Sequence, residues 1–239
     1  ADPLMPPETV PRAVIFDLDG TLADSAPDIA AALNVALAHA GHRPLALDLV
    51  ISFVGGGARR LIESGLTACG ENAGASRIDR VYADFLAAYA QAPAQNTVIY
   101  PGVIEVLESL TADGVALGVC TNKPAGLTQA ILTQLALAPY FKSVVAANGT
   151  LPLKPSPAML DKVLHDLDVP SHQTVMVGDS AADVGAAIAA GVRCILLSHG
   201  YSREPVNGLG ADAVISGFDA LLFCLRTVER AGIKKFATA

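Results

Sequence analysis

A parallel α/β sheet that carries an all-helical insert after its first strand follows from three features of this 239-residue chain. The short apolar run Ala13-Val14-Ile15-Phe16 ends abruptly in carboxylates. From Pro101 onward, strand-like apolar runs alternate with helical patterns, the alternation that parallel strands joined by crossovers require. Between these regions, from about Ser25 to Gln95, the spacing is helical and no strand-like run breaks it.

Taken along the chain, Ala13 to Phe16 is the first strand. The insert follows, with Ile29, Leu33, Leu37 and Ala40 on one helical face and Ile78, Val81, Phe85, Ala88 and Ala92 on another. Its exits are expected over Thr21 to Ala26 and Gln91 to Pro101, the second stiffened by Pro93 and Pro101. Beyond it, strands are predicted at Val115 to Cys120, Val144 to Ala147, Thr174 to Val177 and Cys194 to Leu197. The helices between them are predicted at Pro101 to Asp113, Ala125 to Leu135, Pro157 to Leu167 and Ala181 to Ala190, several marked by Pro at the start and by Gly114 or Gly191 just past the end. Residues 10–24 and 96–239 are therefore expected to form the α/β core, and residues 25–95 the helical insert.

Composition narrows the function classes. An apolar content of 52% with net charge -7 describes an acidic globular chain and argues against a nucleic-acid surface built on basic patches. A local site can still oppose the global sign and take phosphate. Apolar stretches are broken well before the ~20 residues a membrane span needs, and the start lacks the basic-then-apolar pattern of a secretory signal. Cys69, Cys120, Cys194 and Cys224 are widely spaced, as expected of buried reduced thiols in a cytoplasmic protein rather than disulfides or zinc ligands. Neither a nucleic-acid nor a membrane partner is expected; a monomer and a homodimer both remain open.

Four polar signals fall at predicted strand ends or in nearby loops, and strand ends are where open α/β sheets bind ligands. In Asp17-Leu18-Asp19-Gly20-Thr21, an extended backbone would send Asp17 and Asp19 into one pocket. At about 4 Å their repulsion costs roughly 1 kcal/mol in water and roughly 4 kcal/mol at an effective dielectric of about 20, and a divalent cation would reverse that sign. The segment also fits a strand followed by an Asp-Gly turn. Thr121-Asn122 follows the second core strand; its hydroxyl could donate to a phosphoryl oxygen or simply cap the next helix. Gly178-Asp179-Ser180-Ala181-Ala182-Asp183 fits a capping box through Ser180 and Asp183, which leaves Asp179 without a role. Lys154 stands between Leu153 and Pro155, and by itself reads as a solvated charge.

In this order, Asp17-Leu-Asp-Gly-Thr-Leu, Thr121-Asn-Lys-Pro, Lys154-Pro and Gly178-Asp-Ser-Ala-Ala-Asp183 resemble the four motifs of the haloacid dehalogenase superfamily over roughly Arg12 to Leu197. Within it the chain is most similar to bacterial phosphoglycolate phosphatases, through Asp24-Ser25, Val54-Gly55-Gly56-Gly57, Tyr100-Pro101-Gly102 and Thr121-Asn122-Lys123-Pro124. The resemblance implies a Rossmann-like core with an inserted all-helical cap, and a Mg2+-dependent phosphomonoester hydrolase acting on a small phosphorylated metabolite. Asp17 would be the nucleophile that forms an aspartyl-phosphate, and Asp19 would protonate the leaving alcohol and then deprotonate water. Thr121 and Lys154 would hold the equatorial oxygens, with Asn122 beside them in the substrate site. Asp17, the backbone carbonyl of Asp19, and Asp179 would hold Mg2+, with Asp183 farther out.

Several alternatives are set against that reading. A carboxylate at Asp19 disfavours dehalogenation, while Thr21 and Ile29 disfavour a sugar phosphomutase of the β-phosphoglucomutase kind. Other small phosphate esters, sugar phosphates and nucleotides among them, stay open as substrates, as does a phosphate-binding regulatory protein without turnover. No Gly-x-x-x-x-Gly-Lys-Ser/Thr loop or Gly-x-Ser-x-Gly elbow is present, and the five His show no metal-ligand spacing. Substrate choice is expected in the cap at Val54-Gly55-Gly56-Gly57-Ala58-Arg59-Arg60, where glycines ahead of a helix free N–H groups for an anion. Gly56, Gly57 and Arg59, with Arg60 as the alternative arginine, are the candidate contacts to a substrate carboxylate. The same stretch also fits a flexible connection with both arginines in water.

Overall fold

The computed structural model describes residues 11–227; residue 10 and residues 228–239 of the expected core lie outside the described residues. A six-stranded parallel sheet has the order β5-β4-β1-β6-β7-β8. Its strands are β1 (Ala13–Phe16), β4 (Ala116–Pro124), β5 (Ser143–Ala147), β6 (Thr174–Gly178), β7 (Arg193–Leu197) and β8 (Ala213–Ile215). β1 lies centrally because it is apolar on both faces: Val14 and Phe16 join one buried cluster, and Ile15 joins the opposite one. Between the strands run α5 (Val103–Ala112), α6 (Ala125–Gln134), α7 (Ala158–Leu167) and α8 (Ala181–Ala190), and α9 (Leu221–Thr227) ends the described chain.

Register determines where the site forms. Phe16 is level with Val119 of β4 and Val177 of β6, so Asp17 emerges beside the ends of both neighbours. The Asp17 amide donates to the Val177 carbonyl at 2.9 Å. β4 runs on to Pro124, past the predicted end at Cys120, with a register shift between Thr121 and Pro124 that lifts this segment off the regular ladder. Helix α5 starts two residues later than predicted because Gly102, at φ +83°, takes the N-cap position after Pro101.

The stretch predicted as helical forms α1 (Ala26–His39), α2 (Leu47–Ile51), α3 (Ala58–Ala68) and α4 (Ala75–Gln91). Ile29, Leu33, Leu37, Ile78, Val81 and Phe85 are buried in one cluster. Two elements within the exits escaped the sequence: β2 (Ala23–Asp24) and β3 (Val98–Ile99) pair antiparallel, with Ala23 opposite Ile99. No helix among the described residues is long and apolar enough to cross a membrane.

A second clamp lies beside that ribbon. The buried Asp28 carboxylate on α1 accepts from the amide and side chain of Asn96 at 2.9–3.0 Å, and from the amide and hydroxyl of Thr97 at 2.8 and 2.7 Å. Burial pushes the Asp28 carboxyl up, but the bonds from Thr97 and Asn96 outweigh it and hold it below the ordinary 3.8. Its contribution is thus present above the ordinary value and is lost as pH falls through the lowered one. Asp28→Ala is expected to cost about 2–3 kcal/mol, since several buried donors lose their acceptor. Urea unfolding at neutral pH measures this, and the difference from the parent should shrink in acid.

Candidate active site

Three loops at the carboxyl ends of β1, β4 and β6 converge on a cleft of about 520 Å³ under the helical insert. Asp17, Asp19, Thr121, Asn122, Lys154 and Asp179 line it, as do Gly56 and Gly57 from the insert. The buried Lys154 ammonium lies 3.1 Å from Asp17 Oδ2 and 2.6 Å from Asp183 Oδ1, and donates to the Cys120 carbonyl at 2.6 Å. Burial works against that charge, and Asp17 and Asp183 outweigh it, holding the Lys154 pKa well above the ordinary lysine value.

Asp183 does two jobs. Its Oδ2 accepts from the Ser180 amide at 3.0 Å and the Ser180 hydroxyl at 2.7 Å, completing the expected capping box of α8, while its Oδ1 holds Lys154. Asn122 is committed as well. Its Oδ1 accepts from the Lys154 amide at 2.9 Å, and its Nδ2 donates to the carbonyls of Lys154 and Gly55, each at 3.0 Å. Expected in the substrate site, Asn122 does line the cleft, and its side chain braces Lys154 and ties the insert's glycine loop to the core.

One cation does not neutralise this cluster. Ligand atoms of Asp17, Asp179 and Asp183 lie within 4.8 Å of one another, all three residues buried. Burial raises Asp17 to about 6 in spite of Lys154, and burial followed by repulsion from Asp183 and Asp17 lifts Asp179 well above 3.8. Three oxygen donors with surplus negative charge fit a hard divalent cation. Asp179 is positioned by the Tyr201 amide, which donates to its Oδ2 at 2.6 Å, and by the Thr21 hydroxyl at 3.3 Å. Gly200 lies so close that a Cβ there would sit 2.2 Å from the Asp179 Cβ.

Asp19 occupies a different setting. Lys123 Nζ lies 2.9 and 3.1 Å from its two oxygens and also donates to the Tyr89 hydroxyl at 2.8 Å, while the Ser25 hydroxyl donates to Asp19 Oδ1 at 2.5 Å. Lys123 carries no expected role within its motif, and neither Tyr89 nor Tyr201 is expected at the site from sequence. A lysine close behind the apolar run Val115 to Cys120, between Asn122 and Pro124, is the available signal, because a buried ammonium there needs a carboxylate.

The insert contributes the start of α3. Gly57 is its N-cap at φ +87°, and with Gly55 and Gly56 it places the first turn over the cleft. Arg59, the arginine chosen from sequence, turns away: its guanidinium pairs with Asp79 and lies 3.5 Å from Glu63. Arg60 faces the cleft instead, its stem against Gly56. Successive helical residues are separated by about 100°, so only one of the pair can face inward.

Acidic and lysine side chains thus gather at the carboxyl ends of a parallel α/β sheet, beneath a helical insert. The chain belongs to the haloacid dehalogenase-like hydrolases, whose family profile matches residues 14–197. It is 44% identical over 216 residues to the phosphoglycolate phosphatase of Rhodospirillum rubrum, covering 89% of this chain and 90% of that protein. It is 40% identical over 205 residues to the phosphoglycolate phosphatase of Caulobacter vibrioides, covering 86% of each. Among solved structures, a predicted phosphoglycolate phosphatase from Haemophilus somnus superimposes with a TM-score of 0.85 at 29% identity, covering 90% of this chain and 98% of that one.

Proposed function

We propose that this chain hydrolyses 2-phosphoglycolate to glycolate and phosphate with Mg2+. The observation that carries the reading is that one cleft holds two carboxylates on separate lysines, Asp17 on Lys154 and Asp19 on Lys123. Two such environments suit one group that attacks and another that moves protons. The Asp17 carboxylate attacks phosphorus, the bond to the ester oxygen breaks, and the departing alkoxide takes the proton carried by Asp19. Asp19 then removes a proton from water as that water attacks the aspartyl-phosphate, which releases phosphate and restores Asp17. Lys154 fixes the direction of Asp17, and the Thr121 hydroxyl, in the same wall, serves a phosphoryl oxygen. Asp17 and Asp179, with Asp183 behind them, would hold Mg2+, which when bound offsets negative charge on the phosphoryl oxygens.

Substrate choice belongs to the start of α3. The N–H groups after Gly57 and the Arg60 guanidinium suit the carboxylate of 2-phosphoglycolate. Relatives named for that substrate support the choice. Four free cysteines, three of them buried and Cys69 half-buried, favour a cytoplasmic setting, where such a metabolite would be met.

The test is Mg2+-dependent phosphate release across a panel of phosphomonoesters, ranked by kcat/KM. 2-Phosphoglycolate should rank first, and a sugar phosphate or nucleotide ahead of it would replace the substrate assignment. Arg60→Ala is expected to lower kcat/KM for 2-phosphoglycolate by about tenfold, roughly 1.4 kcal/mol, while an aryl phosphate without a carboxylate changes little. Arg59→Ala should stay within about twofold on both, because its salt bridges are exposed.

A further inference from the structure

Helix α1 is capped in an unusual way. Its N-cap residue is Ser25, a residue type that ordinarily turns its hydroxyl onto the first free N–H groups of the helix. Here the Ser25 side chain makes no cap bond, because its hydroxyl goes to Asp19 instead. The free amides are served from across the cleft. The Tyr201 hydroxyl accepts from the Ser25 amide at 2.8 Å and the Ala26 amide at 3.0 Å, and donates to Asp24 Oδ1 at 2.6 Å, an oxygen that itself lies 3.3 Å from the Ala26 amide. A phenol has one proton to give and two lone pairs to offer, so this hydroxyl is fully used. The backbone of the same residue donates to Asp179. Tyr201 therefore spans from the buried carboxylate cluster to the junction where β2 meets α1.

We propose that Tyr201 is a positioning residue for Asp19: by holding the Ser25 amide from the core, it fixes the backbone from which the Ser25 hydroxyl reaches the proton-transfer carboxylate. Without the Tyr201 hydroxyl, the Ser25 amide loses its acceptor and the Ala26 amide keeps only Asp24 Oδ1 at 3.3 Å, so the turn that aims the Ser25 hydroxyl at Asp19 loosens. The same contact makes the direction of Asp19 depend on where the insert sits, since Ser25 is the first residue of the crossing into α1. This proposal rests on the phosphatase reading for the role of Asp19, but its structural half does not need turnover.

The test combines Tyr201→Phe with Ser25→Ala. Tyr201→Phe keeps the ring and the backbone N–H on Asp179, so half-saturation by Mg2+ should stay within about twofold, while kcat falls about tenfold with KM little changed. Amide hydrogen exchange at Ser25 and Ala26, read without substrate, should accelerate by about tenfold or more. The double variant should be no more than about twofold below Ser25→Ala alone, because both changes remove one and the same bond to Asp19. A Tyr201→Phe kcat within twofold of the parent overturns the proposal, as do losses that multiply in the double variant. Unchanged exchange at Ser25 and Ala26 also overturns it, whatever the activity. A parent that released no phosphate would instead bring down the phosphatase reading, with exchange still deciding whether Tyr201 holds the junction of β2 and α1.

Discussion

Replacing Asp17 by Asn should lower kcat for phosphate release by on the order of 10^4-fold or more, because the amide keeps the shape of the site and removes the attacking oxygen anion. Stability should move the other way. Burial holds the folded Asp17 at about 6, above its ordinary 3.8, so ionising it costs the metal-free fold stability as pH rises through that window. A neutral amide removes this cost and also one of three crowded carboxylates. In Mg2+-free buffer at pH 8, Asp17→Asn is therefore expected to unfold at the same temperature as the parent or higher. Retention of even a tenth of parental kcat, with the substitution verified by mass, would remove Asp17 from the nucleophile's role.

Lys154→Met is the second large effect, and it acts on folding as well as on rate. The lysine is buried and is the ammonium within bonding distance of both Asp17 and Asp183. Removing one partner of a buried ion pair leaves uncompensated charge, at a cost of about 3–5 kcal/mol. Urea unfolding in Mg2+-free buffer should show a loss of that size, partly regained when millimolar Mg2+ is added, since a ligand bound only by the folded chain stabilises it. A loss under about 1 kcal/mol would mean that the carboxylates neutralise themselves by taking up protons. Turnover should fall in parallel, because Asp17 loses the contact that directs it.

The core was legible because its chemistry and its topology coincide. Asp17, Thr121 and Asp179 had to follow apolar runs to be placed at strand ends, and those runs form β1, β4 and β6. β8 escaped because three half-buried residues at a sheet edge carry too little pattern, and β2 and β3 because two residues carry none. The Asn122 side chain could not be assigned from sequence, since an amide suits a phosphate and two backbone groups equally well. Arg59 and Arg60 could be separated only by helical phase, which depends on where α3 starts, and that in turn depends on Gly57 at positive φ. Tyr201 lay beyond any local signal: 176 positions separate it from the amide of Ser25 that it caps.

The β2 and β3 ribbon has a consequence for how much chain the fold can accommodate between them. Ala23 and Ile99 are paired neighbours, and the Tyr100 amide returns to the Leu22 carbonyl at 3.1 Å. The polypeptide thus departs from the sheet and comes back through a single doorway about one strand spacing wide, roughly 5 Å. A doorway of that width is indifferent to the size of the room behind it. A short turn would close it as readily as four helices, since closure entropy grows only with the logarithm of length, at about 0.6 kcal/mol per doubling. Chain length behind the doorway is therefore no bar to closing it, but whatever stands there must return a hydroxyl to Asp19 and an acceptor partner to Lys123.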